Sequence, residues 1–179
     1  MDRSLSEKLK KIVLLILDVD GVLTDGKIII DDLGNESKNF HVRDGHGLKL
    51  LMRGGVDVML LTGRTSQVVK YRADELGIRD VYQGVKDKGK VLREILGERE
   101  LSGECIAYMG DDVVDIPAFR MVGFSVAVAD APGYVRDQAD YVTEKKGGTG
   151  AVREICEMIL NAQGTWSVAT ARYEIDGGG

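Results

Sequence analysis

Residues 12–17 read IVLLIL and residues 18–25 read DVDGVLTD, and the junction between them decides the fold. An unbroken apolar run with β-branched residues suits a parallel strand covered on both faces. Two carboxylates, Asp18 and Asp20, follow where that strand ends. In an open α/β sheet, ligands bind outside the carboxyl ends of the strands. One carboxylate there can attack phosphorus and form an acyl phosphate, and a second can protonate the leaving oxygen and then activate water. Gly21 lets the chain turn sharply at this point. The plainer role for the same residues is to cap a helix or a turn.

Working outward, four more runs resemble the first: residues 56–61 (VDVMLL), 81–82 (VY), 105–109 (CIAYM) and 124–128 (FSVAV). Amphipathic helical spacing separates them. Val68, Val69, Ala73 and Leu76 share one face, as do Val91, Leu92, Ile95 and Leu96, and then Ala151, Val152, Ile155, Met158 and Ile159. Alternating strands and helices predict an α/β fold, a doubly wound parallel sheet. One segment breaks the rhythm. Residues 27–31, a Leu33-Gly34-Asn35 turn and residues 36–42 predict a β-hairpin where a crossover helix would normally come, and the helix follows near 44–53. The expected organisation is one domain over residues 1–163 with a hairpin insert at about 26–42. From Gly164 to Gly179 the chain lacks periodicity and is expected to be a frayed tail.

Composition narrows the function. The 179 residues are 44% hydrophobic and 30% charged, with a formal net charge of −5, the profile of an ordinary globular protein. That balance disfavours a general nucleic-acid or anionic-membrane surface. No apolar run reaches the roughly 18 residues of a spanning helix, and the charged start does not resemble a signal peptide. A cytoplasmic location is expected, with Cys105 and Cys156 as reduced thiols.

Three further segments end strands with polar chemistry. LLTGR, residues 60–64, offers the Thr62 hydroxyl and a helix start, together an anion site; Thr62 or Thr65 as a simple N-cap is the alternative. MGDDVVD, residues 109–115, clusters Asp111, Asp112 and Asp115. A hard cation such as Mg²⁺ takes one or two such carboxylates and completes its shell with water and phosphate oxygens. Lys88 opens a helix and is able to hold Asp18 ionised while binding a phosphate oxygen, although lysine-rich turns are more often solvated. Arg43, Lys49, Arg64, Arg72 and Lys88 supply cations for an acidic substrate; surface ion pairing is the alternative for Lys49 and Arg72. His41 and His46 fit either a pocket or a hydrogen-bonded structural role.

These motifs, in this order, resemble the nucleophile loop, Thr loop, Lys position and acidic metal loop of the haloacid dehalogenase superfamily. The hairpin, FHVRDGHG at 40–47, GDDVVD at 110–115, AVADA at 127–131 and GGTGAVREIC at 147–156 resemble, more narrowly, the 3-deoxy-D-manno-octulosonate 8-phosphate phosphatase family. The resemblance covers nearly the whole chain. It implies a capless phosphatase of lipopolysaccharide synthesis acting on a sugar-acid phosphate as a homotetramer, with Asp18 as nucleophile and Asp20 as general acid/base. Mg²⁺ would be held by Asp18, the Asp20 carbonyl and Asp111, with Asp112 or Asp115 behind it. Thr62 and Lys88 would hold the phosphoryl group. Substrate contacts would fall on Asp20, His41, Val42, Arg43, Asp44, Gly45, Lys49, Arg64, Arg72 and Lys88. The tail would be a lid over an adjacent subunit's pocket.

Three other functions compete. A phosphatase of a nine-carbon keto-sugar acid phosphate shares all the chemistry. A phospho-acceptor receiver also carries an aspartate on an α/β sheet, but its other acids precede the acceptor on an earlier strand, whereas Asp20 follows Asp18. An inactive binding domain has no use for the combined set of Asp18, Asp20, Thr62, Lys88 and Asp111.

Overall fold

A computed structural model describes residues 3–173. Its centre is β1 (Leu14–Leu17), whose four side chains are all buried, as a strand covered on both faces requires. β1 pairs in parallel with β4 (Asp57–Leu61) on one side and β6 (Ile106–Gly110) on the other. The sheet has six strands in the order β5-β4-β1-β6-β7-β8, with β5 at Asp80–Tyr82, β7 at Phe124–Ala127 and β8 at Tyr141–Val142. The chain runs outward from β1 to β5, returns to β6 and runs outward the other way. That reversal opens a crevice beyond the carboxyl ends of β1, β4 and β6.

Right-handed crossovers fix the layers. α2 (Val42–Arg53) and α3 (Gln67–Leu76) join strands running in one direction and lie on one face. α4 (Lys88–Glu98), α5 (Ile116–Phe119) and α6 (Gly133–Arg136) belong to the return and lie on the other. α7 (Ala151–Ala162) packs on α2 and on α1 (Arg3–Lys10); Val152, Ile155, Cys156, Ile159 and Leu160 of α7 and Leu48, Leu50 and Leu51 of α2 are all buried. Among the described residues no helix is long and apolar enough to cross a membrane.

The hairpin insert follows β1 as expected, but its strands are shorter than the pattern suggested. β2 is Ile29–Ile30 and β3 is Glu36–Ser37, paired antiparallel. Residues 27–28 stay outside that ladder, and Ile28, at 59% exposed, has little cover among the described residues; Leu33 in the turn is 87% exposed. The hairpin is anchored at its base by an antiparallel bridge between Thr24 and Phe40.

The frayed tail expected from Gly164 is corrected for residues 164–173. Gly164, at φ +68°, ends α7, and the Thr165 amide closes on the Leu160 carbonyl at 2.9 Å. The chain re-enters a helix, α8 (Trp166–Thr170), which buries Ala169 and Thr170. The Tyr173 hydroxyl lies 2.8 Å from His46 Nε2 on α2. This stretch docks on its own α2; residues 174–179 lie outside the described part.

Candidate active site

Register puts the chemistry at one edge. Leu17 pairs with Leu60 and with Met109, so Asp18, Thr62 and Asp111 all emerge just beyond those partners. Asp18 is nearly buried, at 7% exposure. Its Oδ1 accepts the Val19 N–H at 2.7 Å and its Oδ2 lies 2.9 Å from Lys88 Nζ. The loop after it winds around one carbonyl: Val19 O accepts the amides of Val22, Leu23 and Thr24 at 3.3, 2.9 and 3.1 Å. Gly21 is needed twice over. Its φ is +88°, and a Cβ there would sit 2.1 Å from Asp111 Oδ2. The GGTG segment braces this loop from behind. The Gly148 amide bonds to Val22 O at 2.9 Å, and a Cβ on Gly147 would fall 1.7 Å from Gly21 O.

Lys88 begins α4, which Asp87 caps by accepting the Lys90 amide. Its ammonium bridges Asp18 and Asp115, the latter at 2.6 Å. Asp115 is fully buried and saturated with donors. Its Oδ1 accepts Lys88 Nζ and the Tyr108 hydroxyl at 2.7 Å, and its Oδ2 accepts the amides of Asp111 and Asp112 at 3.0 and 3.2 Å. Between the two acids left open by the sequence, Asp115 braces the loop, while Asp112 is exposed and accepts the Val113 amide.

Electrostatics follow from this crowding. Burial, reinforced by Asp18 and Asp115, pushes Asp111 up to about 8. Burial also raises Asp18, to about 6, because Lys88 offsets only part of the desolvation and Asp115 adds repulsion. Burial opposes the charge on Lys88, but Asp18 and Asp115 outweigh it and raise its pKa. Carboxylate oxygens of Asp18, Asp111 and Asp115 lie within 4.8 Å of one another. Three acids around one ammonium suit a divalent cation. Since Asp115 is already taken by four donors, Asp18 and Asp111 are the pair fitted to ligate it.

Together these residues open on a cavity of about 290 Å³ lined by Asp18, Asp20, Thr62, Gly63, Arg64, Val85, Lys86, Lys88, Asp111, Asp112 and Val114. Thr62 is buried, with its amide on Tyr82 O at 2.9 Å. The helix expected directly after it begins later, at Gln67, with Ser66 as the N-cap accepting the Val69 amide. Thr62 therefore sits on a strand-end loop ahead of α3 and lines the cavity without being at a helix N-terminus.

The other expected substrate residues lie apart from this cavity. His41 and Arg43 line a separate hollow of about 610 Å³ with His46 and Arg153. Asp44 is buried, its carboxylate accepting the Gly150 and Arg153 amides at 3.1 and 2.8 Å at the start of α7, and burial raises its pKa. Val42 is exposed and Gly45 buried under Arg72, whose guanidinium stacks over Phe40 at 5.6 Å and pairs with Glu75 at 2.7 Å. Lys49 lines a shallow groove with Arg53 and Glu75. Residues unmarked by the sequence reading also reach the site: Lys86 lines it, Tyr108 holds Asp115, and Lys38 and Glu36 come from the hairpin. The alternation of Glu36 and Lys38 along a strand was the available signal.

Comparison with known proteins agrees with this architecture. A family model described as haloacid dehalogenase-like hydrolase matches residues 77–155. The chain is 46% identical over 164 residues, 92% of its length and 88% of the relative's, to the 3-deoxy-D-manno-octulosonate 8-phosphate phosphatase of Yersinia pestis. It is 40% identical to the crystal structure of that phosphatase from Moraxella catarrhalis in complex with magnesium ion, phosphate ion and KDO, with a TM-score of 0.93 over 97% of this chain and all (100%) of the other. It is 46% identical to the cobalt-bound Haemophilus influenzae phosphatase, with a TM-score of 0.86 over 90% of this chain and 94% of the other. Carried by identity over most of its length and by the same fold, the chain belongs to the 3-deoxy-D-manno-octulosonate 8-phosphate phosphatase family of haloacid dehalogenase-like hydrolases.

Proposed function

We propose that the protein is a magnesium-dependent phosphomonoesterase that hydrolyses 3-deoxy-D-manno-octulosonate 8-phosphate to the free sugar acid and phosphate. The observation that carries the reading is Asp18 on the floor of the cavity, 2.9 Å from a buried ammonium and facing Asp111. The name and the bound KDO of the relatives support the substrate.

In the first step an Asp18 carboxylate oxygen attacks phosphorus, the bond from phosphorus to the sugar oxygen breaks, and Asp20 gives that oxygen its proton. In the second, Asp20 takes a proton from water, the water oxygen attacks phosphorus, and the Asp18–phosphorus bond breaks to release phosphate. Lys88 keeps Asp18 ionised near neutral pH, where burial alone would favour the uncharged acid. Thr62 and Lys88 hold the phosphoryl oxygens. Mg²⁺, when held by Asp18, Asp111 and the Asp20 carbonyl, offsets the negative charge of the phosphoryl group and the nucleophile. Asp115 holds the Asp111 amide and Lys88 in register.

Arg64, a half-exposed cation lining the cavity, is assigned to the substrate carboxylate. His41, Val42, Arg43, Asp44, Gly45, Lys49 and Arg72 lie elsewhere on the same chain, and a neighbouring copy is their route to a substrate. We assign the assembly as a homotetramer in the cytoplasm, in which the exposed Ile28, Ile29 and Ile30 are covered by other hairpins and a neighbour closes each site. The test of activity is phosphate release from a panel of sugar phosphates with and without Mg²⁺. The reading expects 3-deoxy-D-manno-octulosonate 8-phosphate to exceed glucose 6-phosphate by at least about tenfold, the effect of one ion-pair contact; equal rates would overturn the assigned substrate. Light scattering that gives a monomer would overturn the assembly.

A further inference from the structure

The hairpin reaches the catalytic loop directly. Lys38 follows β3, and its side chain is 1% exposed, an unusual state for lysine unless it is paired. Its ammonium bonds to Asp20 Oδ1 and lies 3.3 Å from Glu36 Oε1. Glu36 is itself fixed, since its Oε1 accepts Arg64 Nη2 at 3.2 Å and its Oε2 accepts the Ser66 hydroxyl. The period of a strand puts Glu36 and Lys38 on one face, and the Thr24–Phe40 bridge brings that face back onto the loop carrying Asp20. The other Asp20 oxygen, Oδ2, is buried and has no hydrogen-bond partner; the Arg64 Nε stands 3.8 Å away, beyond hydrogen-bond range.

Asp20 lines the cavity with one oxygen held by Lys38 and the other without a partner, and an unsatisfied carboxylate oxygen at such a site points to a catalytic use. We infer that Lys38 is a positioning residue: it clamps Asp20 Oδ1 so that Oδ2 is the oxygen that passes its proton to the leaving group and later takes one from water. Glu36, tied to Ser66 and Arg64, keeps the Lys38 ammonium on that line. The inference rests on the reading of Asp20 as general acid/base, and the test separates the two.

The experiment measures kcat/KM over a series of substituted phenyl phosphates, which vary leaving-group basicity and lack sugar contacts. kcat/KM reports steps up to the first chemical event, where the leaving group departs. A poor leaving group needs the proton and 4-nitrophenolate does not. For Lys38→Met we expect a loss of about 10–100-fold on phenyl phosphate, part of the 10²–10⁴ available from acid/base help. On 4-nitrophenyl phosphate we expect a loss within about threefold, because little proton donation is then required. Asp20→Asn should show the same steepened dependence, and Lys38→Arg, which keeps the cation, should restore most of the shallow one. Parallel losses of Lys38→Met across the whole series, with Asp20→Asn steepened, would overturn the role of Lys38 and assign it to phosphate binding or the scaffold. A flat Asp20→Asn profile would instead overturn the general-acid reading. Urea midpoints of all three variants identify a protein that has lost its fold, and Lys38→Arg then carries the test: a folded Lys38→Arg with a steepened profile also overturns the clamp.

Discussion

Replacing Lys88 by Met removes the one positive charge bridging two buried carboxylates. At 2.9 Å from Asp18 and 2.6 Å from Asp115, each pairing carries a gross Coulomb attraction of about 6 kcal/mol at an effective dielectric constant of about 20. Much of that attraction only repays the desolvation of the three groups. Deleting one partner of a buried pair typically costs about 3–5 kcal/mol, because the remaining charges stay buried without compensation. The carboxylates can escape by taking up a proton, and this makes the cost depend on pH. Without Lys88, the folded-state pKa of Asp18, already raised by burial, rises further above its unfolded value. The mutant's native state then binds more protons than its unfolded state, so its stability falls as pH rises, by up to about 1.4 kcal/mol per pH unit for each extra proton. The stability deficit against the wild type should therefore widen from pH 6 to pH 8. Urea unfolding of both metal-free proteins in EDTA, at one protein concentration and followed by far-ultraviolet circular dichroism, measures it. A deficit below about 1 kcal/mol, the level of an exposed ion pair, or one equal at both pH values, would refute the reasoning. Turnover by Lys88→Met should be lost as well, since protonated Asp18 is no nucleophile.

Metal binding should release protons. With Asp111 raised to about 8 and Asp18 to about 6 in the metal-free protein, Mg²⁺ at pH 7 displaces a proton. Its apparent affinity should tighten as pH rises from 6 to 8, by up to about tenfold per unit for one proton; titration calorimetry in buffers of different ionisation enthalpy counts that proton. These raised pKa values favour the folded state at low pH and lose that contribution as pH rises through them, so metal-dependent gains in melting temperature should be larger at pH 8 than at pH 6. Gly21→Ala should weaken Mg²⁺ binding by more than about tenfold and destabilise the loop, because its φ of +88° and the 2.1 Å approach of Asp111 Oδ2 both exclude a side chain. Arg64→Ala should lower kcat/KM for the keto-acid phosphate by about tenfold more than for an aryl phosphate, one charge-assisted contact being worth about 1.5–3 kcal/mol; equal losses would assign Arg64 to its Glu36 and Asp20 contacts.

Strand β1 was legible because residues 12–17 are apolar on both faces, the pattern demanded by a strand buried on both sides. The three polar strand ends were legible for the same reason: the switch from apolar run to Asp18, Thr62 or Asp111 marks where the sheet stops. β8 escaped notice because Tyr141–Val142 is only a two-residue edge pair, with no period to detect. α8 was missed because Ala169 and Thr170 are its buried contacts, and small residues leave a weak hydrophobic signal. The choice between Asp112 and Asp115 depends on where the amides after β6 point, which spacing does not encode. Lys38 offered only its alternation with Glu36 as a signal, and the fold-back of the hairpin onto Asp20 is what makes it a buried partner.

The claim on which everything else depends is that Asp18 carries the phosphoryl group. Turnover with the sugar-acid phosphate and Mg²⁺, quenched in acid and reduced with borohydride, converts an aspartyl phosphate to homoserine, which peptide mass spectrometry locates. The account predicts homoserine at position 18 alone, its absence when substrate is omitted, and its absence in Asp18→Asn. Modification at another carboxylate, or full turnover by Asp18→Asn, would contradict it.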